Sequence, residues 1–121
     1  MKLKRVGFYK ELKHGDKHGE SLYELISLIP NLNEDKIISY LKSGTIFCVS
    51  PGIVQDVLSK DEKIIGSLKI LTDGVWIWPS DLVYYIQEYH VSLDNDFISH
   101  MCESNWMCIT MNTIDLEKLE F

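Results

Sequence analysis

From Thr72 the chain reads Thr72-Asp73-Gly74-Val75-Trp76-Ile77-Trp78-Pro79-Ser80-Asp81-Leu82-Val83-Tyr84-Tyr85, a tight hairpin that runs straight into an amphipathic helix. Asp73-Gly74 is a favoured dipeptide for a two-residue type I′ turn, because both central positions need positive φ, which Gly adopts freely and Asp more readily than most residues. With those two residues as the loop, Thr72 faces Val75, Leu71 faces Trp76, Ile70 faces Ile77 and Lys69 faces Trp78, in a hairpin over about residues 68–78. Alternation then sorts the side chains by face. Leu68, Ile70, Val75 and Ile77 share an aliphatic side with Thr72, and Leu71, Trp76 and Trp78 share the other with Lys69. The aliphatic side reads as core. The indole side reads as a second buried layer beneath a helix, the alternative being an exposed platform on which Lys69 lies across Trp78.

Pro79 lacks a backbone N–H and ends the strand, while Pro followed by Ser and Asp suits a helix start. Leu82, Tyr85, Ile86 and Tyr89 then recur at i, i+3, i+4 and i+7, one stripe of an α-helix, with Asp81 in the first turn where the dipole favours negative charge. Tyr84 lies off the stripe and is the tyrosine expected to be exposed.

Elsewhere, Val6-Gly7-Phe8-Tyr9 reads as a short first strand and the glycine-punctuated stretch Lys13–Gly19 as a loop. Ser21 with Glu24 fits a capping box ahead of Leu22, Leu25, Ile26 and Ile29, a helical run that Pro30 ends. Asn33 caps a second helix carrying Ile37, Ile38 and Leu41, with Gly44 at its end. Thr45–Val49 is a strand closed by the turn Ser50-Pro51-Gly52, and Ile53–Leu58 fits a turn or two of helix. Val91-Ser92-Leu93 is extended, and Asp94 caps a helix with Phe97, Ile98 and Met101. Met107–Thr110 fits a strand and Thr113–Leu119 a terminal helix. Helices and strands interleave without a βαβ rhythm and without repeats or linkers, so residues 1–121 form a single α+β domain with a small, mainly antiparallel sheet.

At 121 residues the chain can bury roughly two-thirds of its unfolded surface, with no need for a disulfide or metal. Cys48, Cys102 and Cys108 form no C-x-x-C pair and read as reduced, mostly buried thiols. No apolar span of about 18 residues and no signal peptide is apparent, which leads to the expectation of a cytoplasmic protein that does not insert in membranes. The net charge of −6 argues against nucleic acid as a partner, since a phosphate backbone demands a concentrated basic footprint. That charge is graded along the chain. Residues 1–17 hold six bases against two acids, whereas residues 73–121 hold Asp73, Asp81, Glu88, Asp94, Asp96, Glu103, Asp115, Glu117 and Glu120 against Lys118 alone, a balance of −8. A solvated face accounts for such a run, and so does a field that steers a basic protein partner.

Catalytic and metal chemistry find little footing. His14 and His18 are four apart but sit among glycines that oppose a helix, and Cys102 and Cys108 near His100 match no zinc spacing. Asp94-x-Asp96 starts like a calcium loop, but Ile98, Ser99 and Asn105 stand where an oxygen ligand, Gly and Glu belong. No nucleophile elbow, phosphate loop or dinucleotide fingerprint occurs. The expectation is a non-enzyme with no cofactor and no metal.

A compact α+β chain with an acidic half, surface-capable aromatics and no catalytic motif resembles the small acidic immunity proteins that bacteria encode beside polymorphic or contact-dependent toxins. The stretch from Thr72 through Leu82 to Tyr89-His90-Val91 is also similar to a motif in small bacterial proteins of unassigned function. The resemblance implies occlusion of a toxin domain, commonly a nuclease, with acids imitating phosphates. On that reading Asp73, Trp76, Trp78, Asp81, Tyr84, Glu88, Asp94 and Asp96 form the contact surface for a basic partner, the aromatics acting as anchors. A regulatory or scaffold domain, or a small-molecule binding domain with a pocket beneath the indoles, are the alternatives.

Overall fold

The computed structural model describes residues 2–109 and 112–120. Its sheet has four strands, β1 (Lys4–Arg5), β2 (Thr45–Gln55), β3 (Ile64–Thr72) and β4 (Trp76–Pro79), in the order β1-β4-β3-β2. β1 pairs parallel to β4 and the other neighbours are antiparallel. The helices are α1 (Leu22–Leu25), α2 (Glu34–Lys42), α3 (Leu82–Tyr89), α4 (Asn95–Glu103) and α5 (Thr113–Glu117). The fold is α+β.

The β3–β4 hairpin is present with a different register. Thr72 pairs with Ile77, Leu71 with Trp78 and Ile70 with Pro79, so Gly74-Val75 rather than Asp73-Gly74 is the loop. Asp73 stays out of the positive-φ region that a type I′ turn would require, and Gly74 alone there takes it, at φ +94°. The cause is the Asp73 side chain. Its Oδ1 accepts from the N–H groups of Val75 (2.9 Å) and Trp76 (2.7 Å), which pulls the turn one residue along. A slip of two in the pairing preserves the faces, because side-chain direction has period two.

One face of the sheet therefore carries Leu71, Trp76 and Trp78 into the main core, against Tyr40 and Leu41 of α2, Leu82, Tyr85 and Ile86 of α3, and Phe97 and Met101 of α4. The other carries Leu68, Ile70 and Ile77 into a smaller cluster with Leu3 and Phe8. Val75, in the loop, packs with the larger cluster instead of the aliphatic one. The indoles are buried, and the cation over Trp76 is Lys4, at 5.5 Å, instead of Lys69 over Trp78. They fill the core between sheet and helices.

Several other expectations change. The first strand is Lys4–Arg5, and Val6–Tyr9 is irregular though buried. Ser21 makes no cap; its hydroxyl donates to Glu11 Oε2 (2.7 Å) while Leu22 N–H donates to Glu11 Oε1 (2.8 Å), so a carboxylate from the preceding loop caps α1. β2 does not end at Pro51 but runs on to Gln55, with a register shift between Ser50 and Ile53 and Gly52 at φ +92° absorbing the turn residues as a bulge. This is an edge strand, where proline and bulges are tolerated and discourage pairing with other chains. Met107–Ile109 is not a strand, and Thr110 lies outside the described residues. Asp94 does cap α4, accepting from Asp96 N–H at 2.8 Å. Among the described residues no helix is long and apolar enough to cross a membrane.

Candidate functional site

Four of the eight contact residues expected from sequence are buried in this fold. Trp76 and Trp78 belong to the core, with Trp78 Nε1 donating to the Leu41 carbonyl at 3.2 Å and its ring packed at a tilt against Tyr40 and Phe97. Asp73 is closed in on every side, accepting from Tyr40 OH (2.6 Å) and lying 3.0 Å from His100 Nε2 in addition to its two backbone donors. Asp81 sits beneath His14, 2.9 Å from Nε2. None of these four can anchor a partner. The physical reason is shared: a carboxylate that finds a histidine or a set of N–H donors in the fold can be buried with compensation, and an indole contributes most when removed from water.

Tyr84, Glu88, Asp94 and Asp96 remain. Tyr84 is half-buried, its hydroxyl donating to Asp56 Oδ2 at 2.8 Å, and the three acids are exposed. Asp56 is a buried acceptor that also takes Tyr89 OH (2.5 Å) and Leu58 N–H (2.8 Å). The bond to Asp56, followed by burial, pushes the Tyr89 hydroxyl up to about 12. Burial, with the same carboxylate behind it, raises Tyr84 still further.

The face that sequence reasoning missed lies where α1 was expected to continue. α1 stops at Leu25, and the following residues leave Leu28 fully exposed (100%), Leu32 87% exposed and Ile29 74% exposed, beside exposed Tyr23 and Ile26. The segment is held in place. Ser27 N–H donates to the Tyr89 carbonyl (3.0 Å), Ser92 N–H to the Leu25 carbonyl (3.0 Å), and Asn31 Nδ2 to the Val91 carbonyl (3.0 Å) and to Glu34 Oε1 (3.1 Å). Glu34 in turn lies 3.1 Å from His90 Nδ1. Backbone and amide bonds thus fix the loop onto the end of α3 while its aliphatic side chains point to solvent. A signal for this was in the sequence: the residue before a proline is biased away from the α conformation, which disfavours a helix that reaches Ile29.

One acid, Glu88, stands at this face, and exposed charges, Glu24, Asp35 and Lys36, flank it along the chain. Glu88 lines a notch with Ile26, Ser27, Leu28 and Tyr89, Glu24 is exposed on α1, and Asp35 is exposed at the start of α2. Asp94 follows two residues after Ser92, whose N–H is bonded to Leu25 at the end of α1. Exposed aliphatic side chains held in place beside charged ones are the usual composition of a protein-binding face.

The thiols differ from expectation, since Cys48 and Cys102 are exposed and only Cys108 is partly covered. Burial, with the Asp73 carboxylate nearby, pushes the Cys108 thiol from its ordinary 9.0 to about 11. At pH 8 iodoacetamide should alkylate Cys48 and Cys102 first and leave Cys108 about 100-fold behind an ordinary thiol, because only the thiolate reacts. Peptide mass mapping over time checks this, and equal rates at the three sites would contradict the placement of Cys108.

Among the described residues no three His, Cys, Asp or Glu side chains are placed to hold a metal ion. No family model, no curated protein and no solved structure matches this chain.

Proposed function

We propose that this chain is a protein-binding inhibitor of the immunity type, which occludes a basic surface of a toxin domain. The observation that carries the reading is the pinned apolar loop from Ile26 to Leu32 with Glu88 beside it. A monomer gains nothing by fixing Leu28, Ile29 and Leu32 in water, and a partner that covers them gains apolar burial without first ordering the loop. The exposed acids Glu88, Asp94 and Asp96, within a half of the chain at −8, supply the long-range attraction. The surface thus moves from the hairpin indoles to the α1–α2 loop and the end of α3.

The test is co-expression with the toxin domain encoded beside this chain, combined with association kinetics on the purified pair. The wild-type chain should restore growth, and its association rate should fall as salt rises, since exposed charges are screened over about 8–10 Å at physiological ionic strength. Leu28→Asp should weaken binding by roughly 30-fold or more, mainly through faster dissociation, without altering the melting temperature. Glu88→Lys and Asp94→Lys should mainly slow association. Failure of the wild-type chain to bind or neutralise the toxin sinks the immunity reading, and full activity of Leu28→Asp sinks this choice of face.

A further inference from the structure

The notch beside Leu28 is built from two walls that the fold locks together. Ile26, Ser27 and Leu28 form one, Glu88 and Tyr89 in the last turn of α3 form the other, and Ser27 N–H donates across to the Tyr89 carbonyl at 3.0 Å. The Tyr89 side chain is itself anchored, its hydroxyl donating to the buried Asp56. At about 250 Å³ the notch is smaller than the roughly 300–1,000 Å³ of small-molecule sites, and two of its lining residues, Ile26 and Leu28, are exposed aliphatics. It suits a single long side chain better than a whole ligand.

Two independent features make this notch negative. Glu88 is the charged residue of its lining, is exposed, and forms no ion pair among the described residues. The notch also lies at the C-terminal end of α3, where the helix dipole concentrates partial negative charge and a lysine, arginine or histidine in the last turn is the ordinary complement. No basic residue stands in the last turn of α3, and Glu88 does. His90, which caps the helix, is already engaged, its Nδ1 lying 3.1 Å from each Glu34 oxygen. The exposed Lys36 belongs to α2 and does not line the notch. A carboxylate at a helix C-terminus is unfavourable in the free chain, and a cation supplied from outside relieves both the carboxylate and the dipole.

We propose that this notch receives one lysine or arginine side chain of the partner, its cation at Glu88 and the end of α3 and its alkyl stem on Ile26 and Leu28. Long basic side chains divide in just this way, with methylenes against apolar surface and the charge at the polar end. The inference rests on the reading of this face as a protein-binding one and adds what the partner must present there. An acidic anchor would meet Glu88 as a like charge, and a purely aliphatic one would cover that carboxylate without pairing it.

Titration of the ¹⁵N-labelled chain at low ionic strength with the Nα-acetyl amides of lysine, arginine and norleucine tests this, norleucine being the uncharged stem. The lysine and arginine amides should shift the backbone amides of residues 26–28 and 87–89 saturably, with half-saturation on the order of 10 mM, and norleucine amide should bind at least about 10-fold more weakly. Glu88→Gln and Leu28→Ala, both at exposed positions, should each weaken the lysine amide several-fold while the spectrum stays folded. Equal binding of norleucine amide, shifts confined to other residues, no saturable response, or a Glu88→Gln chain that binds lysine amide as wild type would each overturn the proposal. The titration needs no partner. A toxin neutralised by a chain whose notch ignores lysine amide therefore sinks this contact alone, whereas a chain that binds lysine amide and no toxin keeps the contact and loses the immunity reading.

Discussion

Asp73→Ala is expected to lower the unfolding free energy by about 3–5 kcal/mol, which for a chain of this size corresponds to a melting temperature roughly 10–20 °C lower. The reason is the number of groups that one carboxylate satisfies. Oδ1 takes the N–H of Val75 and Trp76, Oδ2 takes the Tyr40 hydroxyl, and His100 Nε2 lies 3.0 Å away. Removing the side chain strands two buried donors, Tyr40 OH and Trp76 N–H, at about 1–3 kcal/mol each, and releases the turn that sets the β3–β4 register. Asp73→Asn keeps one acceptor for the backbone and should cost less than alanine. Thermal and urea unfolding of the two variants check the order. An alanine variant as stable as the wild type would mean that the bonds around Asp73 do not hold the hairpin.

Asp73 also marks how far the sequence could be read. The dipeptide Asp73-Gly74 announced a hairpin correctly, because turn residues act locally; that Asp73 would be the buried hub of the turn depended on Tyr40 and His100 arriving from distant helices. The same holds at Asp81, which looks like a helix-opening residue and is in fact the partner of His14. Local rules did well where burial and period agree: Leu82, Tyr85 and Ile86 are core, and Asp94 caps α4. They failed where a tertiary neighbour decided the outcome. Glu11 displaced Ser21 as the cap of α1, and the edge position of β2 let the strand pass through Pro51. The apolar loop was misread for a related reason. A period of i, i+3, i+4 through Ile26 and Ile29 normally signals burial, and here hydrogen bonds to Tyr89 and Val91 turn those side chains to solvent. An exposed apolar face and a buried one have the same composition.

Trp78→Ala should separate the two readings of the aromatic residues. Trp78 is wholly buried, donates to the Leu41 carbonyl at 3.2 Å and packs so closely on α2's end that a Cβ at Gly44 would come within 2.6 Å of its ring. Truncation removes a large buried ring and leaves a cavity beside Tyr40 and Phe97, so the expected loss is about 3–5 kcal/mol. If the indole were a surface anchor, truncation would instead leave stability nearly intact and speed dissociation from a partner. The experiment is a pair of measurements on two variants. Trp78→Ala should lose stability and, under conditions where it stays folded, keep its affinity; Leu28→Asp, at a fully exposed position, should keep its stability and lose affinity. A Trp78→Ala chain that melts like the wild type but releases the partner faster would return the contact surface to the hairpin. A Leu28→Asp chain that unfolds would show that the loop belongs to the core, and the protein-binding reading would lose the observation it stands on.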